Sequence, residues 1–95
     1  MISGKFTVVN KSGLHVRPAG VLVKVIQPYR CEVILKAKDK EYNAKSILGI
    51  MSAGIKMGEE VEFVCTGDDE TEAIKAIGEA VASGLGEAVA PDLAE

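Results

Sequence analysis

The chain has 95 residues, short of a typical domain of about 100–150, so it reads as one domain with room for one compact site. Its composition, 47% hydrophobic and 26% charged, excludes wholesale disorder, collagen and coiled-coil classes; with 4% aromatics and no Trp, the core must come from aliphatic side chains, and stacking platforms for single-stranded nucleic acid are nearly absent. Eleven Lys and Arg against fourteen Asp and Glu leave a formal charge of -3, which gives no global attraction to a polyanion and argues against a nucleic-acid module.

Ile2, Gly4, Phe6 and Val8 alternate with Ser3, Lys5, Thr7 and Val9, the period of two that predicts a strand with one buried face. Asn10-Lys11-Ser12-Gly13 is a run of turn formers. From Val16 the period becomes helical: Ala19, Leu22, Val23 and Ile26 form the apolar stripe, Pro18 is tolerated in the first turn, and Pro28 stops the helix. Val16, Arg17, Gly20, Lys24 and Gln27 line its outward side. Cys31, Val33, Leu35 and Ala37 alternate as a second strand, and Asp39-Lys40 is expected to turn the chain into a short third strand, Glu41 to Ala44. Ser46 is a good N-cap for barely two turns of helix, Ile47 to Ser52, closed by Gly54. Val61, Phe63 and Cys65 mark a fourth strand, and Asp68, Asp69, Glu70 and Glu72 crowd the start of a last helix, with Asp69 and Glu72 at capping-box spacing. Ile74, Ile77 and Val81 are its core stripe, Gly84 and Gly86 end it, and Glu87 to Glu95 is expected to be a tail.

The order β-α-β-β-α-β-α fits an α+β fold in which helices cover one face of an antiparallel sheet and leave the other to water. A ferredoxin-like arrangement, the usual frame of small ligand sensors, needs a second helix that crosses the whole sheet, and Ile47 to Ser52 is too short for that. Apolar runs such as Val21-Leu22-Val23 are broken by charges such as Lys24, far short of the roughly 18 residues that span a bilayer; with no export signal recognisable at the N-terminus, a cytoplasmic protein without membrane insertion is expected. Cys31 and Cys65 are too far apart for a metal cluster or redox motif and are expected to be buried free thiols.

His15 is the single histidine. It falls between the turn at Gly13 and the helix start near Val16, where four N–H groups of a helix lack intrahelical partners and Arg17 stands two residues on. A phosphate on or near His15 would meet the backbone donors, the N–H of Val16 among them, the positive helix end and a guanidinium that can bind two oxygens. No P-loop, Walker-type lysine or compact carboxylate pair is present, so the chain could not bind and split a nucleotide by itself, and Ser12 lacks the nucleophile elbow of a hydrolase. A lone histidine can still accept a group and pass it on, with the remaining machinery supplied by partners.

Gly13-Leu14-His15-Val16-Arg17-Pro18-Ala19 resembles the phosphohistidine signature of the HPr family, phosphocarriers of the bacterial phosphoenolpyruvate:sugar phosphotransferase system, and Lys45-Ser46-Ile47-Leu48-Gly49-Ile50-Met51-Ser52-Ala53-Gly54 resembles its regulatory-serine segment in the Gram-positive form. The two motifs lie about thirty residues apart, and the likeness runs from Phe6 to Gly86. It implies an open-faced β-sandwich over residues 1–86, four antiparallel strands with three helices on one face. It further implies that His15 Nδ1 accepts a phosphoryl group from enzyme I and delivers it to IIA domains of sugar permeases, that Arg17 assists, and that no metal or cofactor is needed. Ser46 would be the target of HPr kinase/phosphatase, its phosphorylated form a corepressor with a catabolite-control transcription factor. Val16, Gly20, Lys24, Gln27, Ile47, Leu48 and Met51 would form the docking surface of a monomeric carrier. Val16 departs from the usual Ala, Leu48 from a Met, and Gly20 stands where Thr, Ser or Ala is common, weakening the first helix by up to about 1 kcal/mol.

Overall fold

Period-two patterning builds the sheet and period-3.6 patterning covers it. The computed structural model describes residues 1–87, with strands β1 (Ile2–Thr7), β2 (Glu32–Ala37), β3 (Lys40–Asn43) and β4 (Glu60–Thr66) and helices α1 (Val16–Ile26), α2 (Ile47–Ser52) and α3 (Glu70–Ala82) in the order β-α-β-β-α-β-α. The strands form one antiparallel sheet, β1-β4-β2-β3. Val33, Leu35, Val61, Phe63 and Cys65 are buried on its inner face. On the other face the register sets Lys5, Glu62, Lys36 and Glu41 side by side across all four strands, a row of alternating charge that suits a surface open to water. This is the open-faced sandwich expected from the sequence.

The helix stripes meet the sheet as their periodicity requires. Ala19, Leu22 and Ile26 of α1 and Ala73, Ile77 and Val81 of α3 are buried in one cluster with Phe63, and each fully buried Leu, Ile or Phe contributes about 1.5–3 kcal/mol relative to exposure. Where α3 crosses β1, Gly78 admits the Phe6 ring: a Cβ on Gly78 would lie 2.8 Å from Phe6 Cε1. The Phe6 ring in turn packs tilted on Phe63, with centroids 6.2 Å apart. The short α2 packs on α1 and β3 and buries Ile50 alone.

Three local expectations are corrected. The β2–β3 turn is Lys38-Asp39, one residue earlier than read, with φ of 53° and 64° between the paired Ala37 and Lys40. Two successive positive-φ residues make the hairpin turn that normally selects Asn or Gly, so Lys38 gave no signal. Its Nζ donates to the Gly54 carbonyl at 3.0 Å and lies 3.8 Å from a Glu59 oxygen, tying the hairpin to the end of α2. Nor do Asp69 and Glu72 form a capping box: the Asp69 side chain makes no cap hydrogen bond. Its oxygens instead accept from the N–H groups of Arg30 at 2.7 Å and Cys31 at 2.9 Å, while Glu70 Oε1 accepts from Gly67 N. The start of β2 lies against the start of α3, and donors at the end of a strand outcompete a local cap. Finally, Glu87 does not belong to the tail. Its carboxylate is hydrogen-bonded to Asn10, and only the rest of the expected tail, residues 88–95, lies outside the described residues.

Cys31 and Cys65 are both free and buried. Burial first, then a hydrogen bond to Asp69, pushes the Cys31 thiol up to about 12. Burial likewise raises Cys65, against a hydrogen bond from Cys31. Thiols held protonated in this way are packing groups rather than nucleophiles.

The Asp69 bonds make stability pH-dependent. The N–H of Arg30, foremost, holds the Asp69 carboxyl below its usual range. A depressed folded value means that the stabilisation is complete above the unfolded carboxylate range and is lost as pH falls through the folded value. Asp69→Asn is therefore expected to lower the urea midpoint at neutral pH, with the gap from wild type closing in acid; a gap that persists unchanged into strong acid would refute this account.

Candidate functional site

The site is built on the turn that joins β1 to α1. Gly13 has φ of 64°, and a Cβ there would drive into the Ile55 carbonyl, so only glycine fits both the backbone and the space. Gly13 N donates to the Asn10 carbonyl at 3.1 Å, and Leu14 N to the Ile55 carbonyl at 3.0 Å. Leu14 is buried, which anchors the turn in the core; the next three residues, His15, Val16 and Arg17, are exposed.

His15 is the N-cap of α1, in extended conformation, with its carbonyl accepting from Ala19 N at 2.8 Å. Its side chain makes no cap hydrogen bond, so the ring is left to face solvent. The four N–H donors expected at this helix start reduce to three, those of His15, Val16 and Arg17, because Pro18 has no N–H. These donors flank the only imidazole in the sequence, and the exposed Arg17, two residues on, adds a cationic group, a combination suited to an anion. Val16 is 57% exposed, so the β-branched residue that replaces the usual Ala projects from the surface beside His15.

The second motif lies on the same side of the molecule. Ser46 caps α2 as expected: its Oγ accepts from Gly49 N at 3.1 Å. Gln27 Nε2 donates to the Lys45 carbonyl at 3.1 Å, so the end of α1 is tied to the residue before Ser46. A Cβ on Gly20 would lie 4.0 Å from Ile47 Cδ1, which puts these two residues at the α1–α2 seam. Ile47 is 39% and Leu48 75% exposed, leaving an apolar patch on α2. Met51 is half-buried and packs on the core; with Leu14, His15, Ile55 and Lys56 it lines a hollow of 230 Å³. Lys24 is exposed on α1. A larger concavity, 590 Å³, lies among Lys5, Lys36, Lys38, Glu41 and Glu62, but these belong to the open sheet face and its hairpin, away from the elements that carry His15. Neither hollow is the enclosed apolar cavity a ligand sensor requires.

Two residues that sequence reasoning missed complete the turn. Asn10 is fully buried, and its Nδ2 donates to the Gly13 carbonyl at 2.6 Å and to Glu87 Oε1 at 3.0 Å. Glu87 Oε1 also accepts from Ser12 N at 3.3 Å. The Asn10 amide, foremost, holds the Glu87 carboxyl below its usual range against desolvation, with Ser12 and the charge of Arg17 acting in the same direction. Asn10 carried a turn signal but not burial, and Glu87 none, since only the end of α3 brings it to the turn.

An exposed histidine at a helix start, on an open-faced sandwich with a capped short helix beside it, defines the class: a small α+β domain that presents a histidine to solvent. Residues 2–83 match the family described as PTS HPr component phosphorylation site, and the chain belongs to that family. It is 38% identical over 90 residues to a multiphosphoryl transfer protein of Salmonella typhimurium, covering 92% of this chain and 24% of that protein; the chain thus spans about a quarter of the curated relative's length. The crystal structure of HPr-C-His from Thermoanaerobacter tengcongensis superposes with a TM-score of 0.89 at 39% identity, covering 94% of this chain and 100% of that one. Crh, the catabolite repression containing protein of Bacillus subtilis, an intertwined domain-swapped dimer in its crystal structure, superposes with a TM-score of 0.72 at 36% identity over 88% of this chain and 97% of that one.

Gly20 offers a direct check on the α1–α2 seam. A methyl group there would make an ordinary contact with Ile47 while removing the conformational cost of glycine within a helix. Gly20→Ala is expected to stabilise the domain by about 0.5–1 kcal/mol in urea unfolding; a loss of stability would show that the seam is tighter than described.

Proposed function

We propose that this chain is the phosphocarrier of a phosphoenolpyruvate-dependent sugar phosphotransferase system, with His15 as the residue that takes and passes on the phosphoryl group. The observation that carries this reading is the unengaged, solvent-facing His15 side chain at the start of α1 beside exposed Arg17, within the segment matched to the family. Neutral imidazole attacks the phosphorus of phosphorylated enzyme I through Nδ1. The N–P bond forms as the donor's bond to phosphorus breaks, and the donor keeps the electron pair. Onward transfer to a IIA domain is the same displacement with His15 as leaving group. Because the transition state is loose, the site needs only to position the ring and balance charge on the moving group. Arg17 and the N–H groups of Val16 and Arg17 supply that charge, and Val16, Gly20, Lys24, Gln27, Ile47, Leu48 and Met51 supply the docking surface. In this reading the carrier acts as a monomer.

Incubation with phosphoenolpyruvate and enzyme I is expected to add one acid-labile phosphoryl group by intact mass. His15→Ala should abolish the gain while the domain stays folded, and Arg17→Ala should slow it about tenfold or more. Acid-labile uptake by folded His15→Ala would remove His15 from this role.

The second motif supports a regulatory input at Ser46, the expected target of HPr kinase/phosphatase, whose phosphorylated product would engage a catabolite-control transcription factor. The likeness to a catabolite repression protein favours this reading. A phosphate at Ser46 would sit at the N-cap of α2, where the Gly49 N–H already binds the Ser46 oxygen, so the helix would persist. Its charge of about -2 would stand at the rim of the exposed Ile47 and Leu48 patch, where docking of enzyme I meets desolvation and repulsion. Ser46→Asp is expected to slow enzyme I-dependent phosphorylation relative to Ser46→Ala, more at low salt than at high; equal rates at low salt would defeat the electrostatic account.

A further inference from the structure

Lys56 lies outside both sequence motifs, yet the fold sets it against the turn that presents His15. Leu14, the residue before His15, donates its N–H at 3.0 Å to the carbonyl of Ile55, the residue before Lys56. The two segments touch there, since a Cβ on Gly13 would come within 2.8 Å of Lys56 Cα. His15 and Lys56 then line one hollow of 230 Å³, which Leu14, Met51 and Ile55 also line. The backbone of Lys56 is fixed, because its N–H donates to Glu59 Oε1 at 2.7 Å, and the other oxygen of that carboxylate lies 3.8 Å from Lys38 Nζ. The acid closest to Lys56 in sequence is thus taken up by a backbone donor and by another lysine. Lys56 itself is exposed, and its Nζ enters no ion pair among the described residues.

We propose that Lys56 supplies a second cation, beside Arg17, to the phosphoryl group carried on His15. The proposal rests on the phosphocarrier reading and adds to that site a residue from the loop after α2. A phosphoryl group on Nδ1 brings a charge of about -2 to the hollow that His15 and Lys56 share. The Lys56 ammonium is a point charge on a flexible stem, so it follows the group without demanding one orientation and donates a charge-assisted hydrogen bond to a phosphoryl oxygen. Lys56 forms and breaks no covalent bond and gives up no proton; the phosphoryl group goes from donor to His15 Nδ1 and then to the acceptor as described above. The consequence is a phosphorylated carrier stabilised between encounters, when no partner is present to balance the charge.

The test uses the full chain and compares wild type with Lys56→Gln, which removes the charge, and Lys56→Arg, which keeps it. The side chain is exposed and both variants retain the backbone bonds of the segment, so their urea midpoints are expected to match that of wild type. The readouts are the equilibrium of phosphoryl exchange with enzyme I, measured from both directions by intact mass, and a phosphorus NMR pH titration of the phosphorylated carrier alone. Lys56→Gln is expected to shift the equilibrium about two- to fivefold toward unphosphorylated carrier, less at high salt. It should also raise the pH at which the phosphoryl group takes up a proton, whereas Lys56→Arg stays close to wild type in both readouts. An unshifted equilibrium in Lys56→Gln would overturn the proposal. Slower reaction with enzyme I at an unchanged equilibrium would overturn it as well, by making Lys56 a docking residue only. Failure of wild type to take up phosphate at His15 would instead overturn the phosphocarrier reading on which it depends.

Discussion

The geometry of the site depends on how the chain turns between β1 and α1. Leu14 has to enter the core while His15, the next residue, has to leave it, and α1 begins one residue later. That reversal is possible because Gly13 adopts a positive φ against the Ile55 carbonyl, which then receives the Leu14 N–H. A side chain at position 13 would push the turn off the segment that follows α2, and His15 and Arg17 would lose their fixed place at the helix start. The buried Asn10 amide closes the turn from inside with its bond to the Gly13 carbonyl. An exposed histidine is thus held by buried neighbours on both sides of the turn.

The sheet serves this arrangement indirectly. Its inner face supplies the core on which α1 and α3 rest, and its outer face, with the row Lys5, Glu62, Lys36 and Glu41, stays in water without exposing a broad apolar area. Ties between elements then set the spacing of the functional surface: Lys38 joins the hairpin to Gly54 at the end of α2, Gln27 joins α1 to Lys45, and Asp69 joins the start of α3 to the start of β2. Each uses a side chain to satisfy backbone groups at the end of an element, where the regular hydrogen-bond pattern stops. α2, too short to cover the sheet, instead leaves Ile47 and Leu48 exposed close to α1. The patch thus lies beside the helix that begins at His15.

Membership of the HPr family and the location of the two motifs bear on the same surface. His15 lies at the start of α1 and Ser46 at the start of α2, each in the N-cap position, where the helix favours negative charge. The histidine side chain is unengaged, whereas the serine oxygen already holds a backbone N–H. On the regulatory reading proposed above, a phosphate at Ser46 would meet an N–H that already binds the serine oxygen and would not need to reshape α2, so its effect on partners would act through charge rather than through a change of fold.

Much of this was legible in the sequence. The alternation of Val33 and Leu35 and of Val61, Phe63 and Cys65 gave the buried strand faces, the spacing of Ala19, Leu22, Val23 and Ile26 gave the face of α1, and Gly13, Ser46 and Gly54 marked turns and caps, because these features depend on neighbours within a few residues. His15 and Arg17 were recognisable by their place at a helix start. What only the tertiary structure decided are the bonds between residues distant in sequence: Asp69 with Arg30 and Cys31, Gln27 with Lys45, and Glu87 with Asn10 and Ser12. Asp69 read as a local cap because the sequence shows the helix it precedes and not the strand end it meets, and Glu87 read as tail because its partners lie 77 and 75 positions away. Local patterns are set by the backbone's own geometry, whereas a polar side chain at the end of an element takes whichever unpaired group the fold brings to it.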